Sequence, residues 1–146
     1  MKSSMQLFMA EETKTAPRIY SYGPLSEKIH LSPLPEEIAS PENRKVKVAS
    51  VGVKHFFLLL DNGVLLCAGK NDCGQLGIDP DLYDEPDDLR VHPTLNYAYE
   101  VENVACGNYH SVFIVREKSF PRKRHVLTCG HKGQLGVQRY EDTHKL

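Results

Sequence analysis

The chain has no apolar run long enough to cross a membrane and no secretory leader pattern. Residues 5–10 are mostly apolar, but Gln6 interrupts them and Glu11-Glu12 closes them, too short and too polar a stretch for either purpose. An intracellular protein, cytoplasmic or nuclear and without membrane contact, is therefore expected, with Cys67, Cys73, Cys106 and Cys129 as reduced thiols. A net charge is lacking too: 18 basic side chains face 19 acidic ones, so no global field draws the chain to nucleic acid, and direct nucleic-acid binding is not expected. There is no Gly-x-Ser-x-Gly, no His-Glu-x-x-His and no phosphate-cradling Gly-x-x-x-x-Gly-Lys-Ser/Thr, so nothing assembles a nucleophile, a metal-bound water or a nucleotide site. Neither an enzyme nor a cofactor is expected. Cys-x-x-Cys is absent as well. Zinc held by the cysteines with His125 and His131 stands as an alternative, but the spacing favours buried thiols and no metal site.

What the chain does have is glycine in a repeated order. At 146 residues, 40% hydrophobic and 25% charged, it has the length and composition of one soluble globular domain. Within it, Gly74-Gln75-Leu76-Gly77 returns as Gly133-Gln134-Leu135-Gly136. The Gly52-Val53-Lys54-His55 that precedes the first copy returns as Gly107-Asn108-Tyr109-His110. Each histidine leads into an apolar run, residues 56–60 and 111–115, and each run is followed by a second one ending in glycine, Gly69 or Gly130. Linked echoes in one order mean an internal repeat, and the repeat governs the fold.

Five-residue apolar runs bounded by glycine fit strands covered on both faces better than helices. Asp61-Asn62-Gly63 between the first pair predicts a tight type I′ hairpin turn, because Asn and Gly tolerate positive φ. In the second copy the basic insertion of residues 117–124 replaces that turn. Residues 46–51 alternate as an entering strand, with residues 101–106 as their counterpart, and residues 18–23 form a short strand resembling a faint third copy. Prolines 24, 33, 35 and 41, and later 80, 86 and 93, mark two long connections, of which the second, residues 79–93, is acidic. The expected organisation is a disordered lead over 1–17 and a repeat domain over 18–146, with repeats at about 18–45, 46–100 and 101–146.

This order of Gly-x-x-His, apolar strand, hairpin glycine, apolar strand ending at Gly, then Gly-Gln-Leu-Gly resembles the regulator of chromosome condensation repeat. The resemblance implies an all-β fold, a partial β-propeller of antiparallel blades forming an incomplete ring of about two and a half diverged repeats. The aromatic that usually precedes the third-strand glycine in that family is Tyr22, Ala68 and Cys129 here, and the chain has no tryptophan. A blade packs on both neighbours, so the arc is expected to need further blades from a longer chain or another chain.

Gly52, His55, Gly63, Gly69, Gly74, Gln75, Leu76 and Gly77, with Gly107, His110, Gly130, Gly133, Gln134, Leu135 and Gly136, are expected to serve the repeat and not catalysis. Two charged loops are the candidate partner-binding surfaces: Asp84, Asp87 and Asp88 in one, Arg122, Lys123 and Arg124 in the other. The function this supports is a protein-interaction module. The alternative, which the resemblance brings with it, is guanine-nucleotide exchange on a small GTPase of the Ran type with chromatin association. No residue here matches a family exchange residue. A fragment without activity of its own, and a nuclear import patch at residues 121–125, stand as further readings.

Overall fold

The computed structural model describes residues 6–9, 19–22, 46–79 and 89–136, which form three antiparallel sheets. In the first, β1 (Gln6–Met9) pairs with β2 (Ile19–Tyr22). β2 falls where the alternation of residues 18–23 places a strand. β1 corrects the expectation that all of residues 1–17 lack structure. A four-residue β-compatible segment closes the backbone hydrogen bonds that β2 would otherwise leave open along its edge.

The second sheet runs β3 (Val46–Val51), β4 (His55–Leu60), β5 (Leu65–Gly69) and β6 (Arg90–Val91), in that order across the sheet. β4 and β5 are buried throughout, as the unbroken apolar runs require. Because side chains alternate along a strand, the two runs feed two separate cores. Phe57, Leu59, Leu65 and Cys67 point to one face, and Phe56, Leu58, Leu60, Leu66 and Ala68 to the other. The hairpin between them is not the type I′ turn expected. Only Gly63 has positive φ (83°), the Gly63 N–H donates to the Leu60 carbonyl at 2.9 Å, and Leu60 N–H donates to Val64 O at 2.9 Å. This is a three-residue loop with the left-handed residue last, and Asn62 serves it differently, its Oδ1 accepting from Val64 N–H.

The expected long connection over residues 79–93 is shorter than the prolines suggest. Arg90 and Val91 add a fourth strand against Cys67 and Leu66, and Leu95–Ala98 form one helical turn, α1. Side-chain bonds hold this segment, where apolar patterning would not have revealed it. His92 accepts from Leu95 N–H on Nδ1 (3.1 Å) and so carries its proton on Nε2, which donates to Leu76 O (2.8 Å). The Asn96 amide accepts from Leu65 N–H and donates to Leu65 O.

The third sheet is β7 (Tyr99–Cys106), β8 (His110–Glu117) and β9 (Arg124–Gly130). β7 starts two residues before the expected repeat boundary, and β8 and β9 extend beyond the apolar runs into the basic insertion, leaving residues 118–123 as the connection. A 3-10 turn, Lys132–Gln134, follows. Val101, Val104, Phe113, Val115 and Cys129 meet the Phe57 face of the second sheet, with the Phe113 ring edge-on to Phe57 at 5.1 Å.

The corner between entering and second strand is built twice in the same way. Gly52 N–H donates to His55 O, and Gly107 N–H to His110 O, both at 2.8 Å. A Cβ on Gly52 would overlap the His55 imidazole and lie 2.6 Å from the Gly107 carbonyl oxygen, and a Cβ on Gly107 would overlap His110. Glycine three residues before histidine is therefore the space the ring occupies. Gly52→Ala is expected to cost about 2–3 kcal/mol by overpacking, whereas Gly63→Ala, with nothing within 4 Å of its Cβ, costs only the left-handed backbone, about 1–2 kcal/mol. Urea midpoints of the two variants check this ordering.

Candidate functional site

The seam between the second and third sheets is where the repeat residues come together. Ser111, in the third sheet, donates its hydroxyl proton to the Gln75 carbonyl at 2.6 Å. Its oxygen therefore accepts from His55 Nε2–H at 2.9 Å, leaving His55 Nδ1 buried against Gly52 without a hydrogen-bond partner. Cys129 Sγ donates to the same Gln75 carbonyl at 3.4 Å. Nearby, Cys106 N–H donates to Ser50 Oγ at 2.8 Å and its thiol to Ser50 O at 3.3 Å, while Val53 N–H reaches Asn108 O at 3.2 Å. Each of these bonds crosses from one sheet and its following turn to the other.

A serine and a histidine within hydrogen-bonding reach suggest a nucleophile and its base, but the proton runs the wrong way. The imidazole donates and the hydroxyl is spent on a carbonyl, in a site closed to solvent. Burial lowers His55 and His92 from 6.5 to about 4 each, so both rings are neutral. Burial likewise raises the Cys106 thiol to about 11 and pushes the Cys129 thiol up further, so both stay protonated at neutral pH. The seam is a set of hydrogen bonds that joins one sheet to the other.

The remaining repeat residues take related positions. Gln75 Oε1 accepts from Cys73 N–H and its amide donates to Asp72, closing its own turn. Gln134 instead reaches back, its Oε1 bonded to His110 Nδ1 at 2.9 Å and to Tyr109 N–H at 3.2 Å. Leu76 is buried in the seam core and Leu135 is buried in its own turn, Gly133 precedes it, and Gly69, Gly74, Gly77, Gly130 and Gly136 all have positive φ. Among the partner-binding candidates, Arg122, Lys123 and Arg124 are exposed, but Arg124 Nε donates to Glu102 at 2.9 Å and Arg116 shares that carboxylate. Asp84, Asp87 and Asp88 lie outside the described residues. Sequence reasoning missed Ser50, Ser111, His92 and Asn96. A serine at the position where the first repeat has Phe56 was the available signal.

The two repeats differ in what covers them. Phe57, Leu59, Leu65 and Cys67 are buried under the third sheet. By repeat position their counterparts are Val112, Ile114, Val126 and Thr128, and there Ile114 is 39% and Val126 68% exposed. The third sheet thus presents an open apolar face where the second presents a covered one.

The profile of the regulator of chromosome condensation (RCC1) repeat matches residues 46–75 and, in a second form, residues 62–114. Mouse and human proteins described as RCC1-like G exchanging factor-like protein are each 28% identical over 148 aligned residues, covering 98% of this chain and 29% of theirs. A human protein described as probable E3 ubiquitin-protein ligase HERC3 is 33% identical over 94 residues, 64% of this chain and 8% of that protein. Among solved structures, human WBSCR16 superposes with a TM-score of 0.65 at 24% identity, over 98% of this chain and 37% of that one. Yeast RCC1 (Prp20), in its complex with Kap60, gives 0.59 at 21% identity, over 88% and 32%. At these identities the structural likeness is one of fold, and the chain spans less than a third of the RCC1-like relatives' length.

Both buried imidazoles bind protons more readily in the unfolded chain, at about 6.5, than in the folded one, at about 4. Their contribution is therefore complete above pH 6.5 and lost as pH falls from there toward 4, by up to about 3 kcal/mol per ring. Glu102, held down first by its hydrogen bond from Arg116, titrates below its usual 4.5 and leaves the upper part of that window to the histidines. Urea midpoints measured from pH 7 to pH 5 are expected to fall, and His55→Gln is expected to flatten that fall.

Proposed function

Because the chain is built from regulator of chromosome condensation repeats folded as part of a β-propeller, we propose that it is a protein-interaction module, two blades of a larger ring with protein partners at its loops. The observation that carries this is the open face around Ile114 and Val126, with Val112 half-buried beside them. A sheet whose repeat counterpart is covered by a neighbouring blade supports docking of a further repeat sheet on the same surface. His110, counterpart of the imidazole that bonds Ser111 across the seam, stands at the rim of that face, where an incoming hydroxyl would meet it. We assign residues 18–146 to this repeat domain, with Asp84, Asp87, Asp88, Arg122, Lys123 and Arg124 as the charged residues on its candidate binding loops, in an intracellular setting.

Sedimentation velocity tests the reading. The purified chain should associate with rising concentration through the uncovered face, and Ile114→Glu with Val126→Glu should abolish association. A compact monomer at every concentration would overturn it.

Similarity to the mouse and human RCC1-like G exchanging factor-like proteins favours a second reading, guanine-nucleotide exchange on a small GTPase. Exchange needs an extended surface competing for the phosphate region of the GTPase, and the described polar seam is buried. Release of labelled GDP from a Ran-type GTPase is expected to be unchanged by this chain. A clear acceleration would promote exchange over the interaction-module reading.

A further inference from the structure

The basic insertion of the second repeat does more than lengthen a hairpin. In the first repeat three residues turn β4 into β5; in the second, β8 and β9 extend outward and residues 118–123 turn between them. The tip is fastened to α1, since Lys118 N–H donates to Ala98 O at 3.2 Å and Lys118 Nζ to Asn96 O at 2.6 Å. Two aromatic side chains flank these bonds within two residues. Tyr97 on α1 is 87% exposed and Phe120 on the tip 66% exposed. Large aromatics gain most from burial, and together with arginine they are the side chains that anchor protein interfaces.

The charges around these rings are not equivalent. Arg116 and Arg124 share the single Glu102 carboxylate, which offsets one of their two charges, and the Lys118 ammonium is held in place by the neutral Asn96 carbonyl. Arg122 and Lys123 are exposed and make no ion pair with any described residue. The tip is therefore net positive, and its Arg122 and Lys123 stand outside any described ion pair beside two exposed rings. A single short loop of cations on a chain of net charge −1 gives little hold on a phosphate backbone, whose affinity draws on many neutralised phosphates. They match instead an acidic polypeptide segment that also carries apolar side chains, the carboxylates meeting Arg122 and Lys123 and the apolar groups covering Phe120 and Tyr97.

We propose that the β8–β9 tip and α1 form one docking surface, Tyr97, Phe120, Arg122 and Lys123, for an acidic, apolar-containing peptide segment of a partner protein. The assignment rests on the interaction-module reading and gives its partner a chemistry. The probe is a short fluorescein-labelled peptide alternating Asp-Glu pairs with Leu and Phe, titrated with the full chain and followed by anisotropy. Saturable binding is expected, weakened about tenfold, or about 1.4 kcal/mol, by the double reversal Arg122→Glu/Lys123→Glu, which removes two exposed charge contacts. Phe120→Ser should weaken it several-fold at high salt as well as low, because the aromatic contact is not screened. These side chains are exposed, so urea midpoints of the variants should match the parent and separate lost binding from lost fold. Binding that is indifferent to all three substitutions overturns the docking surface while leaving an interaction module that binds elsewhere. Absence of saturable binding, or tighter binding of a single-stranded oligonucleotide, also overturns it, and the sedimentation test of Ile114 and Val126 stands apart from either result.

Discussion

One imidazole, wedged between a glycine and a serine hydroxyl, ties the two blades together. His55 can lie flat on the chain only because Gly52 has no side chain there, and from that position its Nε2 reaches Ser111 on the neighbouring sheet. The hydroxyl then closes onto Gln75, whose carbonyl also receives the Cys129 thiol. A single buried carbonyl in the turn after β5 thus gathers two strands of the next blade. An isolated polar group in such an interior costs on the order of 1–3 kcal/mol when unpaired, so the seam tolerates few substitutions at its ends. Around it, Phe57 and Phe113 supply the apolar contact that area alone would give any pair of sheets. The polar chain supplies register, fixing which residues of the two sheets face each other.

Much of this architecture is readable from residue order. Gly-x-x-His followed by an unbroken apolar run encodes a corner and a fully buried strand, because the ring needs the glycine and the strand needs cover on both faces. What was not readable had its cause in side chains that bond backbone. β6 is two residues long and carries no apolar pattern, and α1 is a single turn; both are held by His92 and Asn96, whose partners lie near residues 65 and 76. Ser111 was hidden for a related reason. In a run read for hydrophobicity, a serine looks like an interruption, while its role depends on a histidine 56 residues away. The hairpin at Asn62-Gly63 was legible as a turn but not as a type, since the choice between mirror-image turns depends on how the flanking strands pair.

The copies of the repeat differ most where function is expected. At the corner between entering and second strand they are alike, down to matching 2.8 Å bonds. Away from it the second copy gains an extended basic hairpin, with Glu102 bridging Arg116 and Arg124, and its outer apolar face lies open where the first copy's is covered. Conserving the corner while varying the turn is what a scaffold allows: the stabilising bonds sit between sheets, so loops at the sheet ends are free to change. The candidate site is correspondingly the part least visible in the repeat pattern. Exposure of Tyr97 and Phe120 emerged only once strand ends and helix were in place.

The central claim is that the His55–Ser111–Gln75 chain makes one cooperative unit of two sheets. Native-state amide hydrogen exchange measures this most directly, because cooperative units open together and share one free energy. The account predicts that the hydrogen-bonded amides of β4 and β8 exchange with the same opening free energy, and that Ser111→Ala lowers both by the same amount. Protection of β8 that is lower than that of β4 and independent of it, with Ser111→Ala affecting β8 alone, would contradict it.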